Sequence, residues 1–257
     1  MQKDITMSAR RLSNAAMSEE ERKTRIELAA CYRLAQREGW DELIYNHISA
    51  RVPGPDHHFL INPFGLAFEE VTASNLVKVD QEGTIIGEQP YPINAAGFTI
   101  HSAVHAARPE VGCVIHLHTE AGMALSMLEG GLQPLTQTAM FFHDRVAYHD
   151  YEGLALNLEE RERLVRDLGD KPVMILRNHG TLVAGMTIGG AFVMMYLLEK
   201  AARAQLRAMA CDGPLHKASE ASAKLTAAII AKGFGGAEIA WQAMLRRLDR
   251  VDTAYKQ

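Results

Sequence analysis

Val111-Gly112-Cys113-Val114-Ile115-His116-Leu117-His118 is the stretch on which the rest of the chain turns. Its residues are apolar and largely β-branched until the end, the pattern of a buried strand that closes in two histidines. Side chains at i and i+2 of a strand leave the same face, so the two rings project together. A second apolar run, Pro172-Val173-Met174-Ile175-Leu176, leads into Arg177-Asn178-His179-Gly180. A first-row metal bound through nitrogen needs several unprotonated imidazoles converging on one point. Two core strands that each end in polar residues form the mouth of such a site, with His116, His118 and His179 as candidate ligands. The plainer reading keeps them as unrelated surface histidines, because a His-x-His triplet arises often by chance.

Composition narrows the function classes. The chain has 257 residues, 47% hydrophobic and 23% charged, which suits one globular domain with a large core. A formal net charge of −4 gives no electrostatic case for nucleic acid or a membrane surface. No run of about 18 apolar residues is present, so no membrane-spanning helix is expected. Met1-Gln2-Lys3-Asp4-Ile5 lacks the apolar run of a signal peptide. Cys31, Cys113 and Cys211 are too scattered for a disulfide framework or a cysteine zinc site. A cytoplasmic protein is expected, with Cys113 as a packed core thiol.

The spacing predicts a flexible arm over 1–17 and a single domain over 18–257. Ser18 and Glu21 form a capping-box start, and Ile26, Ala29, Ala30 and Leu34 recur at helical spacing until Gly39. Short strand patterns follow at 47–52, 58–62 and 76–79, then a helix around 98–107. Beyond the His116 strand come a short helix from about 119, a strand at 146–149, a helix at 159–168 and the His179 strand pair. The last third reads as three helices. Strands and helices interleave through short connections, which points to an α/β class with an antiparallel or mixed sheet. Within this frame His101 and His105, one helical turn apart, read as core histidines. Tyr148, His149, Asp150 and Tyr151 read as a packed turn or as a cluster able to reach a neighbouring subunit's site.

The ordered set Asn46-His47-Ile48-Ser49-Ala50-Arg51, Leu60-Ile61-Asn62-Pro63-Phe64-Gly65, His101 through Arg108-Pro109-Glu110-Val111, His116-Leu117-His118 and Asn178-His179-Gly180 resembles the class II aldolase/adducin family. The resemblance runs over residues 25 to 230 and is nearest to an adducin-like bacterial branch. It implies a three-layer α/β/α fold around a central, mainly antiparallel sheet, followed by a helical C-terminal part. It also implies a homo-oligomer, a C4 tetramer with sites at subunit interfaces, that acts on a small-molecule substrate. In the sugar-phosphate aldolases of the family three histidines hold Zn²⁺, and they correspond to His116, His118 and His179. Zinc is the expected divalent ion, with manganese, iron or nickel as the other fits. Asn46 matches the family's substrate-loop asparagine. Asn178 and Arg177, beside the third ligand, are further substrate-binding candidates, the arginine suited to a carboxylate.

The departures from the family bear on function. The acid/base glutamate of the aldolases falls on Gly97, the phosphate-contacting serines on Ala95 and Ala96, and a further serine on Phe64. The proton-donating tyrosine falls near Gln137 or Thr138. Glu120, two residues past His118, is the nearest charged replacement for the base, although an acid in a first helical turn also complements the helix dipole. The expected function is therefore a metal-dependent lyase, aldolase-like or decarboxylase-like. Its substrate would be a small, non-phosphorylated hydroxy-carbonyl or hydroxy-acid that passes through a metal-stabilised enolate. The alternative is a non-catalytic, adducin-like oligomeric binding or scaffold domain.

Overall fold

The alternation of side chains along β6 (Cys113–Leu117) divides the core in two. Cys113, Ile115 and Leu117 pack in one apolar cluster with residues of α1 (Glu19–Arg37), α6 (Ile188–Met209) and α8 (Ala237–Asp249). Val114 points the other way, into a cluster with Ile100 and Val104 of α2 (Ala95–Ala107) and Leu164 and Leu168 of α5 (Glu160–Leu168). Every residue of the strand is buried, which is why it reads as an unbroken apolar run. The computed structural model describes residues 6–7, 17–155, 157–233 and 236–257.

Seven strands form the sheet, in the order β4 (Val77–Val79), β3 (Phe59–Ile61), β2 (His47–Arg51), β6, β9 (Gly180–Gly185), β8 (Val173–Leu176), β7 (Val146–His149). All neighbouring pairs are antiparallel except β7 and β8. With helices on both faces this is the three-layer α/β/α arrangement expected from the sequence. A separate two-stranded piece pairs β1 (Thr6–Met7) with β5 (Ile93–Asn94). Apart from that pair and Met17, the arm expected over 1–17 lies outside the described residues. The remaining α-helices among the described residues are α3 (Glu120–Ser126), α4 (Gln137–Met140) and α7 (Glu220–Ala231). The four-residue α4 was not anticipated; Thr136 starts it by accepting a hydrogen bond from the Ala139 amide at 3.0 Å.

Two connections carry the fold toward the site. Ser18 caps α1, accepting from the Glu21 amide at 3.1 Å, and the helix ends in a loop that leads past Trp40 and Glu42 into β2. Between β8 and β9 the chain reverses in three residues, with Asn178 in the left-handed region at φ 55°. Asparagine tolerates that conformation better than most residues. All three cysteines are free, Cys31 and Cys113 being buried. Among the described residues no helix is long and apolar enough to cross a membrane.

Candidate metal centre

His116, His118 and His179 meet. Their ring centroids lie 4.8, 4.7 and 4.7 Å apart, a nearly equilateral triangle. One ligand-capable atom from each falls within 4.8 Å of the others. His116 is buried at the end of β6, while His118 and His179 are half-buried. The tight β8–β9 reversal positions His179: its amide donates to Leu176 O at 3.1 Å, and the Arg177 amide donates to His149 O at 2.8 Å. Gly180 lets this turn approach β6 closely, since a Cβ there would come within 2.5 Å of Leu117 O.

The hydrogen bonds fix which nitrogens face inward. His116 Nδ1 lies 3.1 Å from Thr181 O, and a carbonyl can only accept, so Nδ1 carries the proton. His118 Nδ1 lies 2.6 Å from a Glu42 carboxylate oxygen and is a donor on the same reasoning. In the neutral form of each ring the lone pair then belongs to Nε2, and the two Nε2 atoms face each other at 3.0 Å. Two nitrogens at that distance share a cation, either a proton or a metal ion. The separation is close to the roughly 3.3 Å that two bonds of 2.0–2.1 Å at a tetrahedral angle require. Burial pushes the His116 ring well below the usual histidine range, with His179 and His118 adding to the effect. Burial likewise lowers His179, to about 4, with smaller contributions from His118 and His149. Neutral imidazoles are the state in which this side chain ligates a metal. The donor set and its spacing fit a divalent ion.

The remaining candidates fall in different places. Asn46 is fully buried, and neither polar atom of its side chain has a partner. Asn178 is exposed on the turn. Arg177 aims its guanidinium at the backbone, donating to Leu128 O at 2.5 Å and Glu129 O at 3.2 Å, and lies over the Tyr148 ring at 4.4 Å. Glu120 is exposed in the first turn of α3, beside a groove shared with Ala124, Arg203 and Arg207 rather than with the three histidines. Tyr151 brings its ring centroid to 6.2 Å from His179 within the same chain.

Two neighbours of the centre were not singled out in the sequence. Glu42 is one. Nothing local marks an acid in the loop after α1 as a partner of His118, 76 residues away. His47 is the other. It is the cross-strand partner of His116, it is buried, and both its ring nitrogens lack a partner. Burial lowers it to about 3, with His118 and His179 contributing. Farther in, Ser49 Oγ bridges His101 Nδ1 at 2.6 Å and His105 Nε2 at 2.8 Å, which makes both of them core residues as expected.

Comparison with known proteins agrees with this architecture. Residues 26–206 match the family model described as class II aldolase and adducin N-terminal domain. A Caulobacter vibrioides protein provisionally named as an aldolase class 2 protein is 52% identical over 93% of this chain and 94% of its own length. Mouse alpha-adducin is 47% identical over 75% of this chain, which corresponds to only 26% of adducin. Among solved structures, an aldolase II superfamily protein from Pseudomonas syringae superposes with a TM-score of 0.88 at 47% identity, covering 94% of this chain and 98% of that one. An L-fuculose 1-phosphate aldolase from Glaciozyma antarctica PI12 gives 0.81 at 33% identity, covering 95% and 97%. Fold, extent of match and identity together place the chain in the class II aldolase and adducin family.

Proposed function

We propose that the protein is a metal-dependent lyase, aldolase-like or decarboxylase-like, acting on a small, non-phosphorylated hydroxy-carbonyl or hydroxy-acid compound. The observation that carries this reading is the 3.0 Å approach of the His116 and His118 Nε2 atoms, closed into a triangle of rings by His179. A bound divalent ion, zinc first among the candidates, would supply Lewis-acid stabilisation of negative charge developing on the substrate's oxygens. Thr181 O and the Glu42 carboxylate orient the His116 and His118 rings, and Asn46 is a buried amide just before β2.

The start of α2 supports a substrate without phosphate. Helix N-termini bind phosphate through free amides. Here the Asn94 side chain accepts from the amides of Ala96, at 2.9 Å, and Gly97, at 3.4 Å, so the helix is capped by its own chain. The Phe64 amide is likewise taken, donating to Pro92 O at 2.9 Å. Ala95, Ala96 and Phe64 offer no hydroxyl.

The similarity to alpha-adducin, together with the absence of a carboxylate at Gly97, favours a second reading: an oligomeric binding or scaffold domain without turnover. We infer a homo-oligomer, a tetramer, on either reading, and a cytoplasmic setting consistent with three free thiols; a monomer by light scattering at micromolar concentration contradicts the oligomer. The deciding experiment loads the protein with zinc, manganese, iron or nickel. It then assays fuculose 1-phosphate and ribulose 5-phosphate beside a panel of non-phosphorylated hydroxy-acids. Turnover confined to the unphosphorylated panel supports the lyase. Robust turnover of either sugar phosphate overturns the substrate class, and silence throughout favours the scaffold.

A further inference from the structure

Eight buried side-chain nitrogens and oxygens among the described residues lack a hydrogen-bond partner, and six of them belong to Asn46, His47, His101 and His105. Three of these four residues are linked in space: the His47 and His101 ring centroids lie 6.1 Å apart, and Ser49 joins His101 to His105. Buried polar atoms are ordinarily paired; His101 and His105 each keep one bond to Ser49, whereas both nitrogens of the His47 ring are without a partner.

His47 is the member of that group that borders the ligand set. Its Cα is paired with that of His116 across the β2–β6 ladder, so the two side chains leave the same face of the sheet. Residue 97 is glycine where α2 passes this ring. A Cβ on Gly97 would lie 2.7 Å from His47 Cδ2, 2.7 Å from Cγ and 2.8 Å from Nδ1. Helix and imidazole therefore fit only because position 97 has no side chain. His101, whose ring centroid is 6.1 Å away, gives the His47 nitrogens no hydrogen bond.

We propose that His47 is a substrate-contact residue of the three-histidine site, its ring N–H donating a hydrogen bond to an oxygen of the hydroxy-carbonyl or hydroxy-acid ligand, with Gly97 providing the space that admits the ring. A neutral imidazole always carries one N–H donor, so the contact requires no change of charge at His47. The donor is fixed in place by the β2–β6 register and by α2, so little is lost in ordering it when a ligand binds. This assignment rests on the metal-site reading above.

The test separates the two claims. Zinc-loaded protein is titrated by calorimetry with glycolohydroxamate, a bidentate hydroxy-carbonyl probe, and metal content is measured on the same samples. His47→Leu deletes the donor, and His47→Gln restores an amide N–H of similar reach. Both variants should keep the wild-type metal content. His47→Leu should bind the probe about tenfold more weakly, and His47→Gln should recover at least part of the loss. Unchanged affinity in His47→Leu at full metal content overturns the role of His47. Failure of the wild-type protein to take up zinc overturns the metal site instead. Where His47→Leu does not fold, Gly97→Ala reads the same contact by displacing the ring, and unchanged probe affinity in that variant is equally decisive against the proposal.

Discussion

The carboxylate of Glu42 lies 2.6 Å from Nδ1 of His118, so an exposed loop after α1 sets the tautomer of a ring at the end of β6. A carboxylate on the far nitrogen of a ligating histidine orients the ring and raises its basicity. Glu42→Ala should therefore lower zinc affinity by about 10- to 100-fold. The side chain is 43% exposed, so folding stability should change little. Competition with a chromophoric chelator measures the first quantity and urea denaturation the second. Unaltered zinc affinity would show that the carboxylate does not hold the ring.

That contact also shows what the sequence could and could not reveal. His116, His118 and His179 were legible because each sits where an apolar run stops, and a period of two puts the first two on one face. The layering was legible from the same alternation, with Ile115 and Val114 facing opposite cores. Glu42 and His47 were not, because their importance lies in tertiary geometry. Only the register that pairs His47 with His116 reveals the former as a neighbour of the site, and register is not a local property. Nearness in sequence was a poor guide to direction at Glu120. Thr119 caps α3, accepting from the Gly122 amide at 3.0 Å, and the helix that starts there carries Glu120 into solvent. Arg177 adjoins the third ligand in sequence yet ties two backbone carbonyls.

The close approach at Gly180 predicts a coupled loss. Gly180→Ala places a methyl 2.5 Å from Leu117 O and 3.1 Å from His118 Cδ2. Backbone must shift to accept it, at a cost of about 1–3 kcal/mol. Because the displaced strand carries His118, zinc affinity should fall together with stability. Urea denaturation and metal titration of this one variant check both. A stable variant with normal zinc binding contradicts the tight β6–β9 approach.

The buried histidines set the sign of the pH dependence. Burial lowers His105 to about 3, with the charge of Arg51 adding to the effect, whereas an unfolded chain offers histidine near about 6.5. Between those values the unfolded state binds more protons than the folded one, so stability rises with pH. The contribution is complete above about 6.5 and is lost as pH falls toward about 3. Each such group changes stability by at most about 1.4 kcal/mol per pH unit in that window. Urea denaturation of the metal-free protein at pH 7.5 and pH 5 should show the lower stability at pH 5. His105→Gln should make the difference smaller. A flat profile would count against a buried, neutral His105.

The central claim is that three imidazoles hold one divalent ion. Protein purified without an affinity tag and dialysed against metal-free buffer, then examined by elemental analysis, tests it most directly. We predict one divalent ion per chain, falling close to zero in His116→Ala and His179→Ala variants whose circular dichroism remains that of the folded protein. A folded wild-type chain that carries no metal and takes up none at micromolar free zinc would contradict the account.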